Sequence, residues 1–153
     1  MNQDTSRCVE TVLELVTAVD DCSPQVIGYV LERALELGAL DAYTTPAQMK
    51  KGRPGVVITL LARPAQEEQL SRLLLEETTT LGVRIRPCRR IERERQWVQV
   101  ETPFGSIRVK AAGEKAMPEY EECRLAARRH GVPLARVQAA ALAAWRDQTP
   151  PRR

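Results

Sequence analysis

The sequence predicts an α+β fold, and three observations carry that prediction. Short β-branched and Leu-rich runs alternate with helix-period segments over the first two thirds of the chain. Proline and serine open the helical segments and glycine closes them. A period-two hairpin and a pair of capped helices then follow.

Taken in order, Val12 to Val19 reads as the first strand and stops at Asp20-Asp21. Ser23 and Pro24 start a helix whose apolar residues Ile27, Val30, Leu31, Ala34 and Leu35 recur at helical spacing until Gly38. Ala39 to Thr45 is the second strand. The unbroken run Val56 to Ala62 is the third, with the composition of a central strand covered on both sides. Pro64 opens the second helix, with Leu70, Leu73 and Leu74 on adjacent turns and Gly82 beyond its end, and a fourth strand runs from Val83 toward Arg93. Strand, helix, strand, strand, helix, strand is the split βαβ order of a ferredoxin-like βαββαβ sandwich, with both helices on one face of an antiparallel sheet.

Trp97 to Val100 and Ile107 to Lys110 alternate around Thr102-Pro103-Phe104-Gly105, a β-hairpin expected to extend that sheet. Pro118 is expected to begin a third helix, acidic at its start and basic at its end, which Gly131 closes; Pro133 starts a fourth. The expected organisation is a ferredoxin-like subdomain over 10–95, a hairpin plus two-helix subdomain over 96–148, and a tail over 149–153.

Bulk composition narrows the function classes. Of 153 residues, 43% are hydrophobic and 28% charged, which is globular rather than disordered or membrane-embedded. A net charge of +3 is too mild for a non-specific duplex binder, so no nucleic-acid partner is expected. No apolar run reaches the roughly 18 residues of a membrane span, and no leader precedes the first strand, which gives a cytoplasmic expectation. Cys8, Cys22, Cys88 and Cys123 are scattered without metal-ligand spacing, and Cys22 reads as a small buried hydrophobe. His130, before Gly131, suits a helix C-terminus.

Three groups of residues bear chemistry. Lys50, Lys51 and Arg53 lie on a connector stiffened by Pro46 and Pro54 and bordered by Gly52 and Gly55, a mixture of point charges and a planar fork suited to a polyphosphate. The glycines lack the phosphate-loop spacing, so any nucleotide site is of another kind. Thr78, Thr79, Thr80 and Arg84 add hydroxyls and a second fork. Asp20 and Asp21, at a strand-to-helix corner, offer the oxygen ligands that magnesium or manganese takes beside substrate phosphates. The structural alternatives are a solvated basic turn, a polar helix end and an aspartate acting as helix cap with Ser23. No catalytic residue is assigned.

The ordered motifs Asp20-Asp21, Gly38-Ala39-Leu40-Asp41, Thr45-Pro46-x-Gln48-Met49-Lys50-Lys51-x-Arg53-Pro54-Gly55, Glu77-Thr78-Thr79-Thr80-Leu81-Gly82-Val83-Arg84, Val100-Glu101-Thr102-Pro103-Phe104-Gly105 and His130-Gly131-Val132-Pro133 resemble the C-terminal domain of the LarC nickel-insertion family over about residues 12–146. The resemblance implies nickel insertion into pyridinium-3,5-bisthiocarboxylic acid mononucleotide to make the nickel-pincer cofactor of lactate racemase. It further implies CTP and magnesium or manganese binding by this domain, an N-terminal domain as partner for complete nickel insertion, and a homo-oligomer. Asp20 and Asp21 would then hold the metal, and Lys50, Lys51, Arg53, Arg84 and Thr78 to Thr80 the nucleotide, in a site expected between subunits. The soft nickel ligands would be the substrate's thiocarboxylate sulfurs. Around the carboxylates the family commonly reads Glu-Thr-Asn-Ile-Asp-Asp-Met-x-Pro-Glu, and this chain departs from it at Val16, Ala18, Val19, Cys22 and Gln25. The competing reading is an oligomerising nucleic-acid-binding or assembly module without catalysis. The strands lack the exposed aromatic pairs on which bases stack.

Overall fold

The computed structural model describes residues 7–148 and divides into two compact units, Val9–Ile91 and a second that continues from Glu92. The tail expected over 149–153 lies outside the described residues.

The first unit contains β1 (Arg7–Val19, its first two residues grouping with the second unit), α1 (Pro24–Glu36), β2 (Asp41–Gln48), β3 (Pro54–Ala62), α2 (Glu67–Glu77) and most of β4 (Arg84–Arg93). Its sheet has the order β2-β3-β1-β4, and β3 is antiparallel to both β1 and β2. Non-consecutive strands are therefore neighbours, as the split βαβ pattern requires. Leu13, Leu15 and Val19 on one side of β1 pack with Ile58, Leu60 and Ala62 of β3, Val30 and Ala34 of α1, and Leu70, Leu73 and Leu74 of α2. Both helices thus cover the same face of the sheet.

Several boundaries differ from expectation: β1 begins at Arg7 rather than Val12, β3 at Pro54 rather than Val56, and Pro64 opens a 3-10 turn over Pro64–Gln66 ahead of α2. β2 runs past Pro46 to Gln48 because it is an edge strand, where a missing N–H costs no ladder bond. The connector shortens accordingly to Met49–Arg53, centred on a 3-10 turn over Lys50–Gly52.

The second unit holds β5 (Gln96–Thr102), β6 (Gly105–Ala112), β7 (Lys115–Pro118), α3 (Tyr120–His130) and α4 (Leu134–Gln148). The hairpin does not extend the first sheet. It forms a separate three-stranded sheet, β5-β6-β7, because a turn at Gly113 folds Lys115–Pro118 back onto β6. Pro118 accordingly ends a strand rather than opening α3. Glu119 stays extended and donates its backbone N–H to the Arg108 carbonyl at 2.8 Å, and the helix starts at Tyr120. Gly131, at φ 62°, closes α3 in a left-handed conformation that a side chain would disfavour. Val100, Ile107, Val109, Cys123, Val137, Ala141 and Trp145 form the core of this unit.

The α3–β6 junction is held by Glu122, whose carboxylate accepts the Arg108 backbone N–H at 2.7 Å and the Arg108 guanidinium. Burial by itself pushes the Glu122 carboxyl up, but the Arg108 N–H, the guanidinium bond and its charge together outweigh that and hold the carboxyl below its ordinary range. A carboxyl with a depressed folded pKa contributes its full stability above its unfolded value of about 4.3 and loses it as pH falls through the lower folded value. Glu122→Gln is therefore expected to lower stability at neutral pH by about 1 kcal/mol. Denaturant midpoints measured from pH 7 down to pH 3 should show the gap between variant and wild type closing below pH 4.3.

Candidate functional site

Antiparallel pairing brings the end of β1, the tip of the β2–β3 hairpin and the loop entering β4 to one edge of the four-stranded sheet. Val19 pairs with Val56, so Asp20 emerges beside Arg53. The Arg53 Nη2 lies 2.9 Å from Asp20 Oδ2, with the aspartate side chain only 12% exposed and the arginine 51%. That carboxylate oxygen is buried and has no hydrogen bond of good geometry, so the guanidinium compensates its charge without satisfying it as an aligned donor.

Neither aspartate caps α1. Ser23 does so, its hydroxyl accepting the Gln25 N–H at 3.3 Å, which leaves both carboxylates available. Asp21 instead accepts the Thr79 hydroxyl, tying the α2–β4 loop to the corner.

The three threonines have separate roles. Thr78 donates to the Leu74 carbonyl at 2.7 Å and accepts the Thr80 N–H at 3.2 Å, closing α2. The Thr17 and Thr80 hydroxyls are in hydrogen-bond contact with each other and lie 3.1 and 3.0 Å from the Gly82 carbonyl oxygen; with one proton each, one donates to the other hydroxyl and the other to the carbonyl. Thr79 alone among them touches a candidate metal-binding carboxylate. Thr17 is the residue that sequence reasoning missed: it is 2% exposed, on the same face of β1 as Leu15 and Val19. Its signal was a hydroxyl at a position where the period-two pattern calls for an apolar side chain.

The hairpin tip is tightly built. The Met49 N–H donates to the Arg53 carbonyl at 2.8 Å, and Lys51 is held at φ 61°, the single positive value of a non-glycine residue among the described residues. Left-handed backbone in a lysine is strained, and strain of this kind concentrates at ligand-contacting segments. Lys50 and Lys51 project from this turn without a carboxylate partner among the described residues. Arg84, exposed at the start of β4, makes no direct contact with the carboxylates; its position two residues beyond Gly82 brings it to the same edge.

Among the described residues no three His, Cys, Asp or Glu side chains cluster as a complete metal cage. Two carboxylates, one orphaned and nearly buried, suit a hard cation that keeps water and phosphate oxygens as its remaining ligands. Cys22 is free and has no soft neighbours of its kind, so the corner does not fit nickel held by protein thiolates. Burial pushes the thiols of Cys88 and Cys123 up, assisted by Glu14 for the first and by Glu122 and Glu119 for the second. His130 meets Phe104 edge-on at 5.6 Å. A groove of about 720 Å³ lies away from this corner, along α2 and Ile85. Among the described residues no helix is long and apolar enough to cross a membrane.

Fold and corner together define an α+β domain that gathers cations, hydroxyls and two carboxylates at one sheet edge. Comparison with known proteins identifies its family. A family model described as nickel insertion protein matches residues 1–138, and the chain belongs to that family. A Myxococcus xanthus protein named for nickel insertion is 47% identical over 131 residues, covering 82% of this chain and 34% of that protein. The pyridinium-3,5-bisthiocarboxylic acid mononucleotide nickel insertion protein of Acetivibrio thermocellus is 42% identical over 139 residues, covering 88% of this chain and 34% of its own length. Among solved structures, the apo C-terminal domain of a cyclometallase involved in synthesis of the NPN cofactor of lactate racemase, LarC, superposes with a TM-score of 0.85 at 37% identity, covering 90% of this chain and 99% of that one. A Methanopyrus kandleri protein shares the fold at TM-score 0.62 and 24% identity, over 92% of this chain and 90% of its own. The resemblance read from the motifs is borne out. The chain spans about a third of the length of the curated relatives it matches.

One backbone contact keeps the corner closed. A Cβ on Gly55 would lie 2.8 Å from the Val19 carbonyl oxygen and collide with the Met49 sulfur. The sulfur can swing away, whereas the carbonyl belongs to the β1–β3 ladder. Gly55→Ala is expected to cost about 1–3 kcal/mol by overpacking. Chemical denaturation checks it; a variant as stable as wild type means that the two strands are not in van der Waals contact there.

Proposed function

We propose that this chain is the nucleotide- and divalent-metal-binding part of a nickel insertase that uses CTP to place nickel in pyridinium-3,5-bisthiocarboxylic acid mononucleotide. The observation that carries the reading is the convergence of Asp20, Asp21, Arg53 and Thr79 at one edge of the sheet. Family membership supplies the substrate class, and the match to the C-terminal domain of a cyclometallase supports the division of labour.

Asp20 and Asp21 would hold magnesium or manganese, which supplies neutralisation of the triphosphate charge when bound. Arg53 presents a planar fork to phosphate oxygens, and Lys50 and Lys51 add mobile point charges from the strained turn. Arg84 and the Thr79 hydroxyl line the other side. Asp20 holds the Arg53 guanidinium at its buried carboxylate oxygen, and a cation held there would supply the counter-charge in its stead and leave the guanidinium for the nucleotide. Because these groups lie at an open edge rather than in an enclosed cavity, a neighbouring copy in a homo-oligomer completes the pocket. The family's N-terminal domain is the partner required for complete insertion of nickel, which is cargo in this reaction.

Calorimetric titration with CTP and manganese tests the reading. Lys50→Ala with Lys51→Ala, or Asp20→Asn, should weaken binding at least about tenfold, since each removes charge-assisted contacts to phosphate or metal. Equal affinity in wild type and both variants would show the site to be elsewhere. The counter-charge argument has its own test. Arg53→Ala leaves the Asp20 carboxylate without its cation, so thermal stability should fall, and manganese should then raise the melting temperature of the variant more than that of wild type. An equal rise in both would mean that Arg53 and the metal do not share Asp20.

A further inference from the structure

Trp97, Lys110 and Met117 are cross-strand neighbours in a row across β5, β6 and β7. Strand alternation puts Val98, Val100, Val109, Ala111 and Ala116 into the core of this unit, so the row stands on the opposite face of the sheet. Trp97 is 52% exposed and Met117 71%, in a chain with two tryptophans, the other of which, Trp145, is buried.

The Arg108 guanidinium carbon lies 5.4 Å from the centre of the Trp97 ring system and the Lys110 ammonium 5.9 Å. These two cations differ in freedom. Arg108 is pinned by Glu122, whereas Lys110 has no carboxylate partner among the described residues and rests over the indole. Lys115, exposed on β7 opposite Ala112, adds a positive charge with no carboxylate partner among the described residues at the far edge of the face. An open indole bordered by one fixed cation and one without a carboxylate partner among the described residues matches a ligand that is flat and aromatic at one end and anionic at the other.

The geometry points to this face as a binding site for a pyridinium mononucleotide with anionic ring substituents. It rests on the proposed function for the substrate's identity, and assigns that substrate a place separate from the carboxylate corner. The pyridinium ring is an electron-poor cation and stacks on indole better than a neutral ring does. Lys110 leaves the indole for the ligand's phosphate, and Arg108, held in place, meets a ring carboxylate or thiocarboxylate. Met117 extends the apolar floor on the far side of Lys110.

Nicotinic acid mononucleotide, a pyridinium carboxylate mononucleotide, is the probe. Titrated into the whole chain, it should quench tryptophan emission saturably, because Trp97 is open to it and Trp145 is not. Lys110→Ala should weaken the binding at least about fivefold, as expected for a lost charge-assisted contact. Trp97→Leu, a change at an exposed position, should abolish the heat of binding in calorimetry while the far-ultraviolet circular dichroism stays unchanged. Linear, unsaturable quenching that is the same in Lys110→Ala would mean chance encounters and overturn the site. So would saturable binding that survives Trp97→Leu, which would put the ligand elsewhere. CTP with manganese, titrated in parallel, separates the two readings. If CTP binds and the mononucleotide does not, this site falls and the proposed function stands; if neither binds, both fall.

Discussion

A nearly buried carboxylate must have a compensating charge, and Asp20 imposes that condition on the whole edge of the sheet. An aspartate at the end of an interior strand, 12% exposed, is tolerated only beside a cation. Arg53 is in reach because β3 begins where β1 ends and because Gly55 lets the two backbones approach. The strand order, the short hairpin tip and the glycine are therefore parts of one arrangement. Change the register by one residue and Asp20 turns to the other face, away from its partner.

Most of the fold was legible in the sequence because its elements are bounded by residues with strong local physics. Ser23-Pro24, Pro64, Gly131 and Pro133 fix helix ends through capping and backbone geometry, and Val56 to Ala62 has the composition of a central strand. The elements misread were those set by tertiary context. Pro46 looks like a strand terminator, yet an edge strand accommodates it. Lys115–Pro118 is too short and too mixed to read as a strand, and without it the hairpin looks like an extension of the larger sheet. Pro118 looks like a helix start until the Arg108 carbonyl is seen to hold Glu119 extended.

The candidate site was legible as a list of residues and not as an arrangement. Charge and proline spacing single out Lys50, Lys51 and Arg53, but which cation meets which carboxylate depends on strand pairing. Thr78, Thr79 and Thr80 are indistinguishable as a tripeptide. The structure separates them into a helix-end hydroxyl, a ligand of Asp21 and an anchor to Thr17. Thr17 escaped notice because a single hydroxyl in an apolar run carries little weight on its own. Its meaning comes from the Gly82 carbonyl and the Thr80 hydroxyl, both more than sixty residues away.

The two aspartates are held by partners of different kinds, and the difference bears on how the corner works. Asp21 is oriented by a neutral hydroxyl on a loop that Thr17, Thr80 and Gly82 keep fixed. A fixed neutral donor costs little to retain when a cation binds, because it does not repel the incoming charge and still uses only one carboxylate oxygen. Asp20 is held by an exposed arginine at the edge of a strained turn, and a divalent cation would repel that guanidinium while replacing it as counter-charge. In the proposed reading one carboxylate is thus preorganised and the other exchangeable, and Arg53, the group a cation would displace, lies next to the place where a polyphosphate would arrive.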